Sequence, residues 1–188
     1  MWVSHSDRWT LRWVAGLLLW PGAVCLCATT FAQGVSPFTT LDEAQTYGLI
    51  RSELDKGGYG DAERLAERWL GGLRSEPASD SLLTARATDL LVEALIKNGK
   101  GAGPTTLTLA EGVVDTKRRL LGSGHLEYAI SLDNLGALRS ERGEFRTAVT
   151  LHEQALAIRQ KVLTRDDPSV ADTLDLLSLP LIRLERFA

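Results

Sequence analysis

Between Tyr128 and about Arg142, the apolar positions Ala129, Leu132, Leu135, Gly136 and Leu138 recur at helical spacing. Gly143 interrupts the pattern where a helix end needs an unhindered backbone. A second apolar stripe follows: Phe145, Ala148, Leu151, Ala155, Leu156 and Val162. Asp166-Asp167-Pro168 then supplies an Asp N-cap and a proline for a first helical turn, where no N–H partner is needed. The pattern predicts a helical hairpin followed by the start of another. No alternating β-branched runs bounded by turns indicate strands.

The hairpin recurs. Shifting the sequence by 42 positions lays Leu109, Glu111, Val114, Lys117, Leu120 and Leu121 onto Leu151, Glu153, Leu156, Arg159, Val162 and Leu163 without a gap. The same shift carries Leu90, Ala94 and Ile96 onto Leu132, Gly136 and Leu138, and Ala129, Leu132 and Leu135 onto Ala171, Leu174 and Leu177. An earlier copy is less regular: Gly57-Gly-Tyr59-Gly-Asp-Ala62 parallels Gly143-Glu-Phe145-Arg-Thr-Ala148. Such periodicity is the mark of stacked units that bury a shared core. Gly136, Ala148 and Ala155 are expected where the two helices of a hairpin cross closely. The last unit reads as one helix from Val170 to Leu184, kinked at Pro180, with Phe187-Ala188 where a second helix would begin. Its apolar face has no partner, through a missing capping segment or because another molecule covers it.

Leu135-Gly136, Gly143-Glu-Phe145-Arg-Thr-Ala148 and Ala155-Leu156 are similar to the tetratricopeptide repeat. The 42-residue step and the run from His152 to Leu163 resemble its longer variety, found in kinesin light chains and many bacterial proteins. The resemblance covers roughly residues 41–188, most clearly the third unit. It implies an all-α solenoid of antiparallel hairpins, about three and a half repeats in a right-handed superhelix, with units at about 41–76, 83–122, 126–164 and a partial 168–188. It also implies a non-catalytic scaffold that holds a peptide or protein on a concave face of first helices. In such arrays Asn residues of first helices often bond the ligand backbone. Asn134 is the matching residue, with Val92 and Leu176 at the corresponding positions of the neighbouring units. The expected face comprises Leu91, Leu95, Ile130, Asp133, Asn134, Ala137, Asp172 and Leu179. Alternatives of other classes are a docking or sensor arm of a larger enzyme, such as one with a caspase-like (CHAT) peptidase domain, and a self-assembling spacer that associates through its unpaired last helix.

The first segment differs in kind. Four of five Trp and both Cys lie within the first 27 positions. Arg8 and Arg12 precede an apolar run from Trp13 to Leu19, and small residues lead to Thr30-Phe31-Ala32. A positive start, an apolar middle and a small-x-small exit make a secretory signal at 1–32, followed by a linker at 33–40. The protein is therefore expected to be exported, periplasmic or secreted, with no membrane association after cleavage; an uncleaved anchor is the alternative. Cleavage after Ala32 removes Cys25 and Cys27, and with them any disulfide, thiolate metal site or Cys nucleophile.

The 44% hydrophobic and 24% charged shares suit a packed domain, and the net charge of −3 argues against nucleic acid. Three motifs invite chemistry and fail. His152-Glu153 lacks a second His at 156, which is Leu156, so no zinc helix and no other metal site is expected. His152 is read as partly packed, and His125 as a cap or turn residue. Asn98-Gly-Lys-Gly-Ala-Gly-Pro-Thr-Thr106 places its Lys before the glycines, unlike a phosphate loop, and reads as a flexible turn. Lys117-Arg118-Arg119 reads as cations at a helix C-terminus, and Glu63, Arg64, Glu67 and Arg68 as a solvated face. No cofactor is expected, and no catalytic arrangement.

Overall fold

The computed structural model describes residues 43–74 and 81–187. The expected signal and linker lie outside them. Seven helices follow in order: α1 (Glu43–Asp55), α2 (Tyr59–Arg74), α3 (Leu82–Lys97), α4 (Pro104–Leu121), α5 (Leu126–Glu141), α6 (Phe145–Val162) and α7 (Pro168–Phe187). No strand occurs among the described residues.

Local chemistry sets the helix ends. Gly57, Gly99 and Gly143 all take positive φ, between 72° and 81°. After each, the next N–H donates to a carbonyl five residues back: Gly58 to Glu53, Lys100 to Leu95 and Glu144 to Arg139, at 2.8, 2.8 and 2.9 Å. The three hairpin turns are thus one helix-ending motif made three times, in a backbone conformation that a Cβ disfavours. The starts of α3, α5 and α7 are capped by side chains. Ser81 Oγ accepts from Thr84 N at 3.1 Å, His125 Nδ1 from Glu127 N at 3.2 Å, and Asp167 Oδ1 from Ser169 N at 2.9 Å. His125 and Asp167 take the roles their positions suggested.

Each helix packs on the next. In addition the backbone of α1 approaches that of α3, α3 that of α5 and α5 that of α7, whereas the backbones of α2, α4 and α6 stay apart from one another. The first helices therefore form a tight inner layer and the second helices a splayed outer one, which curves the stack and makes the inner face concave. A central first helix is enclosed on several sides. Along α3, Ala85, Ala87, Leu90, Leu91, Val92 and Ala94 are all buried. That explains why their periodicity is less one-sided than in α2, which packs from one side only. Three apolar clusters run through the stack, joined where Leu109, Val114 and Leu151 each border two of them.

Pro180 does not break α7, which continues as one helix to Phe187, beyond the expected end at Leu184. The Pro180 ring is fully buried at the position that Leu138 holds in α5. Val170, Thr173, Leu177 and Pro180 form the inward stripe. On the other side Leu174, Leu179, Leu181 and Ile182 are 44–52% exposed. Leu132, the α5 counterpart of Leu174, is covered and 1% exposed. The unpartnered apolar face expected from the sequence is present.

Candidate functional site: a groove across three first helices

Inward positions of three successive first helices line a cavity of about 490 Å³ on the inner face. Helix α1 contributes Glu43, Ala44, Tyr47 and Arg51; α3 contributes Leu83, Arg86, Asp89, Leu90 and Glu93; α5 contributes Glu127 and Ile130. These spacings of three and four keep each set on one side of its helix. Trp69 of α2 and Lys117 of α4 reach in from the outer layer. Leu83, Leu90, Ile130 and the rings of Trp69 and Tyr47 make the apolar part of the lining.

Fixed charges surround it. Arg51 Nη1 donates to both oxygens of Glu93 at 3.0 and 2.9 Å, joining equivalent positions of the first and second units. Its guanidinium also lies 6.0 Å from the centre of the Tyr47 ring. Arg86 forks onto Glu127, Nε to Oε2 at 2.8 Å and Nη2 to Oε1 at 2.5 Å, joining the second and third. The Arg86 hydrogen bond holds the Glu127 carboxyl below the usual range against the opposing effect of burial, with the Lys117 charge adding to it.

Beneath the groove lies a buried polar rung. Lys117, 2% exposed, donates from Nζ to Asp89 Oδ2 at 2.5 Å and lies 3.6 Å from Glu127 Oε2. Ser131 Oγ donates to the same Asp89 oxygen at 2.6 Å, and Asn134 Nδ2 to Asp89 Oδ1 at 3.4 Å. A second rung repeats the device one unit on. Arg159 and Thr173 both bond Asp133 Oδ2, and His152 Nδ1 meets Asp133 Oδ1 at 2.9 Å. Lys117 and Arg159 are 42 positions apart, as are Ser131 and Thr173. The acids are equivalent too: Asp89 and Asp133 are 44 positions apart, the step that relates α3 to α5 at their turn glycines, Gly99 and Gly143. In kind the rungs agree: an outer-helix cation, the inner-helix carboxylate of its own unit, and a hydroxyl of the next inner helix.

Several expectations change here. Lys117 is not a solvated cation at a helix end but a core residue, 2% exposed, whereas its neighbour Arg118 makes an exposed pair with Asp115 at 3.1 Å. His152 is wholly buried, not partly packed. Glu63 is not on a solvated face: it is buried and accepts from Asn98 Nδ2 at 2.6 Å and from Lys100 Nζ at 2.7 and 2.8 Å. The glycine-rich loop is therefore pinned to the previous unit, not a free turn. The Lys100 hydrogen bond chiefly holds the Glu63 carboxyl below its ordinary 4.5. Its contribution to stability is complete above that value and is lost as pH falls through the depressed one. Glu63→Gln is expected to destabilise at pH 6 and progressively less toward pH 3, measured by urea unfolding. A difference independent of pH would rule out the charge as the cause.

Of the eight residues expected on the binding face, only Ile130 lines the groove. Leu91 belongs to the core, 5% exposed, and Leu95 packs against that core. Asp133 is spent in the second rung, and the Asn134 amide already has Asp89 as its acceptor. Ala137 is half-buried, while Asp172 and Leu179 are exposed on α7 and do not line the cavity. Sequence reasoning missed Tyr47, Arg51, Arg86, Glu93 and Glu127. One signal was available: Arg51 and Glu93 are opposite charges 42 positions apart, at equivalent places in adjacent units. Among the described residues no cluster of His, Cys, Asp or Glu could hold a metal ion. No described helix is long and apolar enough to cross a membrane.

Residues 94–161 match the tetratricopeptide repeat family. The described residues as a whole form a tetratricopeptide-like α-solenoid. Its fold is that of solved kinesin-light-chain-like arrays. A Podosopora anserina protein described as a kinesin light chain with nearly identical TPR-like repeats superposes with a TM-score of 0.65 at 23% identity, over 76% of this chain and 66% of that one. A point variant of it gives 0.64. BtubC (BKLC) from P. vanneervenii gives 0.62 at 22% identity, over 77% of this chain and 57% of that one. At such identities the likeness establishes the fold. The chain spans about two thirds of the first two structures and less of the third. No curated protein sequence matches the chain.

Proposed function

We propose that this chain is an exported, non-catalytic scaffold that holds a peptide segment of a partner protein in the groove of α1, α3 and α5. Tetratricopeptide arrays generally mediate protein–protein interaction, and this groove supplies the means. The observation that carries the reading is a preformed cavity of about 490 Å³ with an apolar lining and charges already locked in place. A surface whose side chains are held before binding loses little entropy on binding. The hydroxyl, thiol and imidazole groups that usually act as nucleophiles or bases are not among its lining residues, apart from the phenol of Tyr47. The signal-like segment at residues 1–32 supports export.

The test is capture from an envelope extract with the full chain and with Ile130→Lys. Ile130 is only half-buried, so the variant should keep its helical spectrum and melting curve while losing at least ten-fold in affinity for the captured partner. Partner binding unchanged by Ile130→Lys would move the site elsewhere. The mass of the extracted protein tests export: it should correspond to a chain beginning after Ala32.

A further inference from the structure

We infer that the segment this groove accepts carries a bulky apolar side chain next to a lysine or arginine, and that an acidic tail is rejected. The inference rests on the groove being the binding site and names the chemistry of its occupant.

The groove's three cations are already engaged. Arg51 is spent on Glu93 and flanks Tyr47, Arg86 is forked onto Glu127, and Lys117 lies beneath the surface on Asp89. An incoming carboxylate would have to break one of these pairs and leave a carboxylate behind in its place. The anions are not exhausted in the same way. Glu43, Asp89, Glu93 and Glu127 outnumber Arg51, Arg86 and Lys117. Glu43 is exposed at the first turn of α1 and has no ion-pair partner among the described residues. A carboxylate accepts more than one or two hydrogen bonds, so Glu93 and Glu127 can each take a further donor from an ammonium or guanidinium without losing their arginines. The apolar lining of Leu83, Leu90, Ile130, Trp69 and Tyr47 calls for a large uncharged side chain between those carboxylates.

Fluorescein-labelled hexapeptides provide the probe: Gly-Ser-Phe-Lys-Ser-Gly, its Phe-Glu counterpart and its Ser-Lys counterpart, titrated by anisotropy against the full chain. The Phe-Lys peptide should bind at least ten-fold more tightly than either of the others. Its advantage over Phe-Glu should shrink as salt rises. Glu43→Gln should reduce that advantage roughly two- to five-fold, as expected for one exposed charge. A Phe-Glu peptide that binds as well as Phe-Lys overturns the inference. If Ile130→Lys then abolishes its binding, the groove stands and only the charge preference falls. If no peptide binds, or all bind Ile130→Lys equally well, the groove falls with it.

Discussion

Asp89→Ala will destabilise the array by about 3–5 kcal/mol, because it strands a buried ammonium. Lys117 is 2% exposed, and Asp89 is its nearest counter-charge. Glu127 Oε2, at 3.6 Å, is already forked by Arg86 and compensates only in part. Ser131 and Asn134 lose an acceptor in the same step. Melting should fall by roughly 6–20 °C, taking 2–4 °C per kcal/mol for a chain of this size. The companion experiment separates pair from packing. Asp89→Leu combined with Lys117→Met removes both charges and keeps apolar volume, and should recover most of the loss. If the double variant is as unstable as the single one, the rung is more than a compensated pair. If Asp89→Ala costs under 1 kcal/mol in urea unfolding, the rung contributes little. The second rung offers a parallel case in Asp133, which serves His152, Arg159 and Thr173 together.

Gly136→Ala is expected to cost about 1–3 kcal/mol, and Gly136→Leu more, from overpacking alone. A Cβ at Gly136 would stand 2.6–2.9 Å from three atoms of the His152 ring. The ring cannot step aside freely, since it is 0% exposed and tied to Asp133 at 2.9 Å. In the register set by the turn glycines Gly99 and Gly143, the equivalent of Gly136 one unit earlier is Val92, and the counterpart of His152 is Ala110, both buried. The third unit thus trades a valine and an alanine for a glycine and a histidine, with the extra volume on one side accommodated by a missing side chain on the other. A double-mutant cycle follows from this exchange. Gly136→Ala with His152→Ala adds the Cβ and removes the ring that it would meet. It should cost clearly less than the sum of the two single changes. Strictly additive losses would show that ring and glycine do not constrain each other. Circular dichroism melts of the four proteins measure the coupling.

How much of this the chain declares by itself depends on the range of the interaction. Helices, hairpin turns and caps are settled within a few residues: Gly143 needs its positive φ for the turn around it, and Asp167 caps the helix beside it. The 42-residue step is visible because each unit must bury the same kind of apolar face against its neighbours. From these features alone the repeated hairpins and the concave layer of first helices could be read. Which polar residues are structural and which are offered to a ligand could not. Lys117 directly precedes two arginines in the sequence, yet the crossing of α3, α4 and α5 places it against Asp89, 28 residues away. Asp133 and Asn134 have the composition of a binding face, but they are consumed within the stack, while Arg51 and Glu93 meet across its inner face. Local periodicity tells a residue's side of its helix. Only the packing of one unit on the next decides what stands opposite, and a charge has no role until its partner is in place.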